Sequence, residues 1–190
     1  MAESRSRVAI IGAGIGGLSL GLALQERGIQ ADVFGTGAGS PRTPCARTTG
    51  TRSGSAARTS GIHRADLQKT LGSAFPTERL HLGCRLVDIV QERDSVVLEF
   101  ANGRVERADL VVGADGARST VRRFVTGADD AVYSGTSAFR GIVAVENLPS
   151  LPDPHAIQFW MGPDAHMLHY AIGGNGESVN FFAVVETPKI

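Results

Sequence analysis

Gly12, Gly14 and Gly17, spaced G-x-G-x-x-G, follow a short apolar run, Val8-Ala-Ile-Ile11, and precede a helical pattern, Leu18-Ser-Leu-Gly-Leu-Ala-Leu24. Strand, tight turn and helix in that order predict the opening of a β–α–β unit. Each glycine has a physical task there. Gly12 makes the turn, Gly14 lets backbone approach a pyrophosphate, and Gly17 lets the helix lie close to the strand. The helix N-terminus adds N–H groups and a partial positive charge. The turn therefore points to a dinucleotide. The alternative is a glycine turn with a structural role alone.

The unit continues with a helix over about 15–27, closed by Gly28, and a second strand over Gln30–Phe34. A dinucleotide site of this kind usually carries an acid at the end of that strand, about 20 residues past the glycines. Gly35 occupies the position. Loss of such a charged hydrogen bond to the adenosine ribose costs roughly 1.5–3 kcal/mol of affinity. Asp32 is no substitute, because strand alternation aims it elsewhere.

Residues 35–60 contain no Val, Ile, Leu, Met, Phe, Tyr or Trp, and carry arginines but no acid. Such a segment buries too little apolar surface to offset its ordering entropy, so it reads as a disordered linker. A basic phosphate-gripping loop is the minor alternative.

Lys plus Arg and Asp plus Glu each number 19, so the net charge is zero and nothing points to nucleic acid or an anionic membrane. No apolar stretch approaches a membrane span, and the first strand follows the N-terminus too closely for a signal peptide. The expected location is the cytoplasm. Cys45 and Cys84 are read as unpaired thiols. The histidines show no metal-ligand spacing, and no metal is expected.

Beyond the linker, residues 62–71 read as a helix with Leu67 and Leu71 on one face. Strands are expected over 80–82, 85–90 and 95–100, with Asn102-Gly103 as a hairpin turn before Val105. A buried strand from Ala108, a glycine-bracketed Asp115 and a helix capped by Ser119 follow. Four strand candidates, 139–145, 156–160, 166–172 and 178–185, fit an antiparallel sheet.

Two separated stretches, Gly12 to Gly17 and Asp109-Leu-Val-Val-Gly-Ala-Asp-Gly-Ala-Arg-Ser-Thr-Val-Arg122, resemble the group A FAD-dependent aromatic hydroxylases, nearest the salicylate and 6-hydroxynicotinate branch. The second stretch is similar to that family's Asp-Gly motif near the flavin pyrophosphate. Ile62-His-Arg-Ala-Asp-Leu67 is similar to its helix whose arginine reaches FAD. The segments 159–163 and 166–170 look like its sheet over the substrate pocket. The resemblance covers about 1–34 and 61–186. It implies an α/β fold: a Rossmann-like FAD-binding βαβ domain with an antiparallel substrate-side sheet, truncated. The expected division is 1–34, the start of the dinucleotide domain; 35–60, the linker; 61–130, its remainder; and 131–190, part of the substrate sheet.

The departures are Gly35, the composition of 35–60, and the absence of the family's later Gly-Asp motif. The chain reads as the N-terminal portion of a hydroxylase with an internal stretch replaced, and a damaged or misread gene is one expected cause.

The resemblance implies FAD and NAD(P)H as cofactors, with O2 and a small aromatic substrate as partners. Gly12, Gly14, Ile15, Gly16 and Gly17 would hold the pyrophosphate, with Leu86 and Gly116 beside the cofactor. Arg64 would pair with a phosphate, or stand as an exposed helix arginine. Asp115 would bond the cofactor or order its loop, or act as a turn aspartate bonding its own backbone. Tyr170 would help deprotonate a phenolic substrate, or be a core tyrosine. Arg140 would meet a substrate carboxylate, or be a solvated strand arginine. Two other readings stand beside this one: a non-catalytic FAD-binding remnant, and a plain NAD-dependent dehydrogenase.

Overall fold

The computed structural model describes residues 6–37, 64–127, 131–173 and 176–187. The expected linker beyond Gly37, Cys45, and Ile62-His63 of the expected helix lie outside the described residues. The chain divides into two compact units, Met1–Arg42 with Leu67–Asp130, and Thr43–Asp66 with Ala131–Ile190.

The first unit opens as the glycine pattern requires. Strand β1 (Val8–Ile11) leads into helix α1 (Ile15–Gln25), and β2 (Ala31–Gly35) returns parallel to β1. α1 ends in a Schellman arrangement. Gly28, at φ +75°, donates from its amide to Gln25 O, and Ile29 donates to Leu24 O. Helix α2 (Arg64–Ala74) enters this unit at Leu67, and β3 (Leu80–Leu82) then pairs parallel with β2. A meander of β4 (Leu86–Gln91), β5 (Val96–Phe100) and β6 (Val105–Ala108) comes next. Asn102-Gly103 makes its second turn, with Gly103 at φ +81°. Strand β7 (Leu110–Gly113) then pairs with the far side of β1, and helix α3 (Thr120–Thr126) follows. The parallel sheet has the order β3-β2-β1-β7.

All four residues of β1 are buried because apolar matter covers both faces of the sheet. Val8 and Ile10 join Leu18 of α1, Val33 and Phe75 in one core cluster. Ala9 and Ile11 join Phe34, Leu86, Leu98, Phe100 and Val121 in the other. Ile10 and Val33 are fully buried, each contributing about 1.5–3 kcal/mol of transfer free energy. Cys84 is a free, buried thiol.

The strand expected from Ala108 is not buried throughout. Leu110 is 54% exposed and only Ala108 is enclosed. Among the described residues β7 lies at the sheet edge with one strand neighbour, and none of them covers its apolar run on that side.

The second unit holds one antiparallel sheet of β8 (Thr136–Ala144), β9 (Gln158–Gly162), β10 (Ala165–Ile172) and β11 (Ser178–Glu186), in the order β8-β11-β10-β9. Its register places Arg140, Phe182, Leu168 and Phe159 in one row across the sheet. Strand alternation puts Tyr170 on the same face as that row.

Candidate functional site: a glycine cradle

The two motifs singled out in the sequence meet in the first unit. Gly12 has φ +120°, and a Cβ there would stand 2.1 Å from Ala114 O and 2.8 Å from Asp115 N. The Ala114 amide donates to Ile11 O at 2.6 Å, and the Gly12 amide donates to Phe34 O at 2.7 Å. Only glycine fits where β1, β2 and the chain after β7 converge. A Cβ on Gly17 would lie 1.9 Å from Gly12 O and 3.3 Å from Ile10 Cγ2. That contact is why α1 seats directly on β1. Gly14 and Gly16 differ, since an added Cβ would meet no atom of the described residues within 4 Å. That open side lets the chain's backbone approach a ligand there.

The N-terminus of α1 suits an anion. Gly14 is its N-cap, no side chain caps it, and its first turn holds no acid. Ile15, Gly16 and Gly17 occupy that first turn, so their amides point along the positive end of the helix dipole. Gln68 of α2 braces the turn, its Nε2 donating to Ala13 O at 2.7 Å. Sequence reasoning missed this residue. Its spacing of one helical turn after Arg64 was the available signal. Arg64 itself begins α2 and is exposed.

Asp115 is committed to its own chain. Its Oδ1 accepts from Ser119 Oγ at 2.5 Å, and its Oδ2 accepts from the amides of Thr120 at 2.7 Å and Val121 at 3.3 Å. Ser119 Oγ in turn accepts from the Arg122 amide at 2.9 Å. Together they cap α3 and fix the loop, with Gly116 at φ +82° allowing its turn. An open cavity of about 370 Å³ lies here, lined by Gly113, Asp115, Gly116, Ser119 and Arg122 among others.

Leu86 is buried at the start of β4, opposite Phe100. Its side chain is core, so its backbone is what it offers a ligand. Asp32 accepts from Arg79, the residue before β3, at 3.4 Å and meets Nε2 of His81 on β3 at 3.1 Å.

In the second unit, Arg140 is exposed and its guanidinium lies 5.2 Å from the centre of the Phe182 ring. Tyr170 is half-buried on β10. The two share a sheet face but stand two strands apart. On the opposite face His169 is 2% exposed, stacks on Trp160 at 6.0 Å between ring centres, and has no partner for either ring nitrogen among the described residues. Burial pushes its pKa below the ordinary value. Among the described residues no cluster of metal-ligating side chains occurs, and no helix is long and apolar enough to cross a membrane.

No family model matches the chain. It is 32% identical, over 234 aligned positions, to a 3-amino-4-hydroxybenzoate 2-monooxygenase of Streptomyces cremeus, with 100% of this chain and 59% of the relative covered. The alignment is longer than the 190 residues of the chain, so the relative carries residues that this chain lacks. A salicylate hydroxylase solved as a substrate complex superimposes with a TM-score of 0.72 at 26% identity, covering 100% of this chain and 58% of that one. A Klebsiella pneumoniae HpxO complexed with FAD and uric acid shares the fold, with a TM-score of 0.75 at 21% identity, covering 99% and 58%. The chain thus spans under two thirds of each. The α/β fold expected from the sequence is the fold of these proteins. The homologues and structural neighbours of this chain are FAD-dependent aromatic hydroxylases, and it spans only part of their length.

Proposed function

We propose that this chain forms the dinucleotide-holding part of an FAD-dependent monooxygenase that hydroxylates a small aromatic substrate, with NAD(P)H as reductant and O2 as co-substrate. The observation that carries the reading is the convergence of the glycine turn with the Asp115-Gly116 loop, through the contact of Gly12 with Ala114 and Asp115. The residues present fit a dinucleotide pyrophosphate: an open glycine, an uncapped helix N-terminus and no acid in its first turn.

Bound there, FAD would supply the redox chemistry of a hydroxylation in which NAD(P)H is oxidised, one atom of O2 enters the ring and the other leaves as water. The chain's own part is to hold and orient. Amides of Ile15, Gly16 and Gly17 bind the pyrophosphate, Arg64 reaches a phosphate, and the capped loop at Asp115 keeps the cradle rigid. Arg140 pairs with a substrate carboxylate and Tyr170 manages a phenolic proton.

A second reading is favoured by one observation, the residues present in the Streptomyces relative and missing here. It makes the chain a non-catalytic FAD-binding remnant. An absorbance spectrum after incubation with excess FAD and desalting tests the common part. Retained flavin bands near one per chain are expected, and a colourless protein rejects both readings. NAD(P)H oxidation stimulated by aromatic acids then favours the monooxygenase, and its absence the remnant.

A further inference from the structure

The sheet of the second unit carries an inference that rests on the proposed function and goes beyond it. Asn180 is the one polar residue of 179–185. Asparagine is disfavoured inside strands, so its place in an apolar strand calls for a local reason. The register supplies one. Tyr170 of β10, Asn180 of β11 and Ile142 of β8 stand in one row, next to the row that holds Arg140 and Phe182. Strand alternation puts these side chains on one face. Asn180 and Tyr170 are half-buried there, whereas their chain neighbours on the other face, Val179 and His169, are 2% exposed.

The two rows are offset in a way that a flat ring would feel. Directly opposite residues of an antiparallel pair have Cβ atoms about 5 Å apart, and diagonal ones about 7–8 Å apart. Asn180 is directly opposite Tyr170 and diagonal to Arg140, whereas Phe182 is directly opposite Arg140 and diagonal to Tyr170. A ring with its phenolic oxygen at Tyr170 and its carboxylate at Arg140 therefore crosses between these two residues of β11. One flank meets the Phe182 ring, whose centre lies 5.2 Å from the Arg140 guanidinium. The other flank meets the Asn180 carboxamide, at the phenolic end. That carboxamide offers both a donor and an acceptor, and covering it with an apolar group costs it a hydrogen bond to water.

We propose that Asn180 selects, among phenolic acids, those with a hydroxyl or amino group on the ring carbon next to the phenolic one. The carboxamide bonds that group while Tyr170 meets the phenolic oxygen and Arg140 the carboxylate. An apolar group of the same size leaves the carboxamide unpaired and binds about fivefold more weakly, the size of a neutral hydrogen bond.

Calorimetric titration of the full chain, with FAD present, compares 3,4-dihydroxybenzoate with its methyl isostere, 4-hydroxy-3-methylbenzoate. The expected dissociation constants favour the hydroxyl compound by more than about threefold. In Asn180→Leu, which keeps the volume and removes the carboxamide, the preference is expected to fall below about threefold. Asn180→Ala serves the same comparison if the leucine variant does not unfold cooperatively. Any smaller preference in the parent chain overturns the proposal and leaves the reading of Arg140 and Tyr170 intact. A preference that survives in a folded Asn180 variant also overturns it, since another group then reads the hydroxyl. Binding of neither acid, by a chain whose thermal unfolding is cooperative, overturns the proposed function as well.

Discussion

Gly12 and Ala114 are in backbone contact so close that a single added carbon at Gly12 would fall 2.1 Å from the Ala114 carbonyl oxygen. These residues lie on opposite sides of the first unit's sequence, and their contact joins the two motifs into one site. Gly12→Ala therefore meets both a carbonyl and an unfavourable φ of +120°. It is expected to destabilise the chain by about 3 kcal/mol. Gly14→Ala is the control, because no atom of the described residues lies within 4 Å of the added carbon and its φ of −81° suits alanine. Urea unfolding of the two variants should separate them, and equal midpoints would sink the argument.

The Asp115 carboxylate accepts from one hydroxyl and two amides at the start of α3. Asp115→Ala leaves those donors without it and should cost about 1–2 kcal/mol. Ser119→Ala should cost about 1 kcal/mol. The two share one network, so the double variant should lose less than the sum. Additive losses in a double-mutant cycle would show that the groups act independently.

What the sequence disclosed follows from where the physics is local. Gly12 and Gly17 were legible because backbone crowding forces glycine at each, and spacing alone records that. Strands such as Val8–Ile11 and Val96–Phe100 were legible because valine, isoleucine and phenylalanine favour sheets, although β9 begins at Gln158, two residues later than expected. The exposure of Leu110 was not, since an edge position depends on which strands pair, and β7 reads the same in either place. The brace from Gln68 to Ala13 and the press of Gly35 on Ala13 were hidden for a related reason. Both join residues far apart in the chain, and neither residue type announces its partner. Asp115 was ambiguous because an aspartate before a helix serves a ligand and a cap equally well. Its three hydrogen bonds to Ser119, Thr120 and Val121 show that it caps.

Arg140 and Tyr170 share a face of the second unit's sheet, and under the proposed function they divide the work on substrate. Arg140→Ala should weaken binding of an aromatic carboxylic acid by about tenfold or more, the loss of a charged hydrogen bond. Binding of the same ring without its carboxylate should stay unchanged. Tyr170→Phe should lower aromatic-stimulated NAD(P)H oxidation about 100-fold with FAD retention intact. Equal losses for both aromatics would place Arg140 in the fold, stacked on Phe182, and unchanged turnover would remove Tyr170 from proton transfer.

His169 gives the chain a pH dependence whose sign follows from its burial. With its ring against Trp160 and no described partner for either nitrogen, the imidazolium is disfavoured in the folded state, and the pKa lies below 6.5. The unfolded chain then binds the proton more readily than the folded one. Stability is fully present above the ordinary value, falls as pH drops through it, and levels off below the depressed folded value. Thermal unfolding should therefore shift to lower temperature between about pH 7.5 and about pH 5.5. His169→Phe keeps the ring's shape, removes both unpaired nitrogens and abolishes the titration. Its Tm should fall less than that of the parent chain over the same pH interval. If parent and variant lose the same number of degrees, the acid sensitivity arises elsewhere and the ring nitrogens of His169 are satisfied in solution.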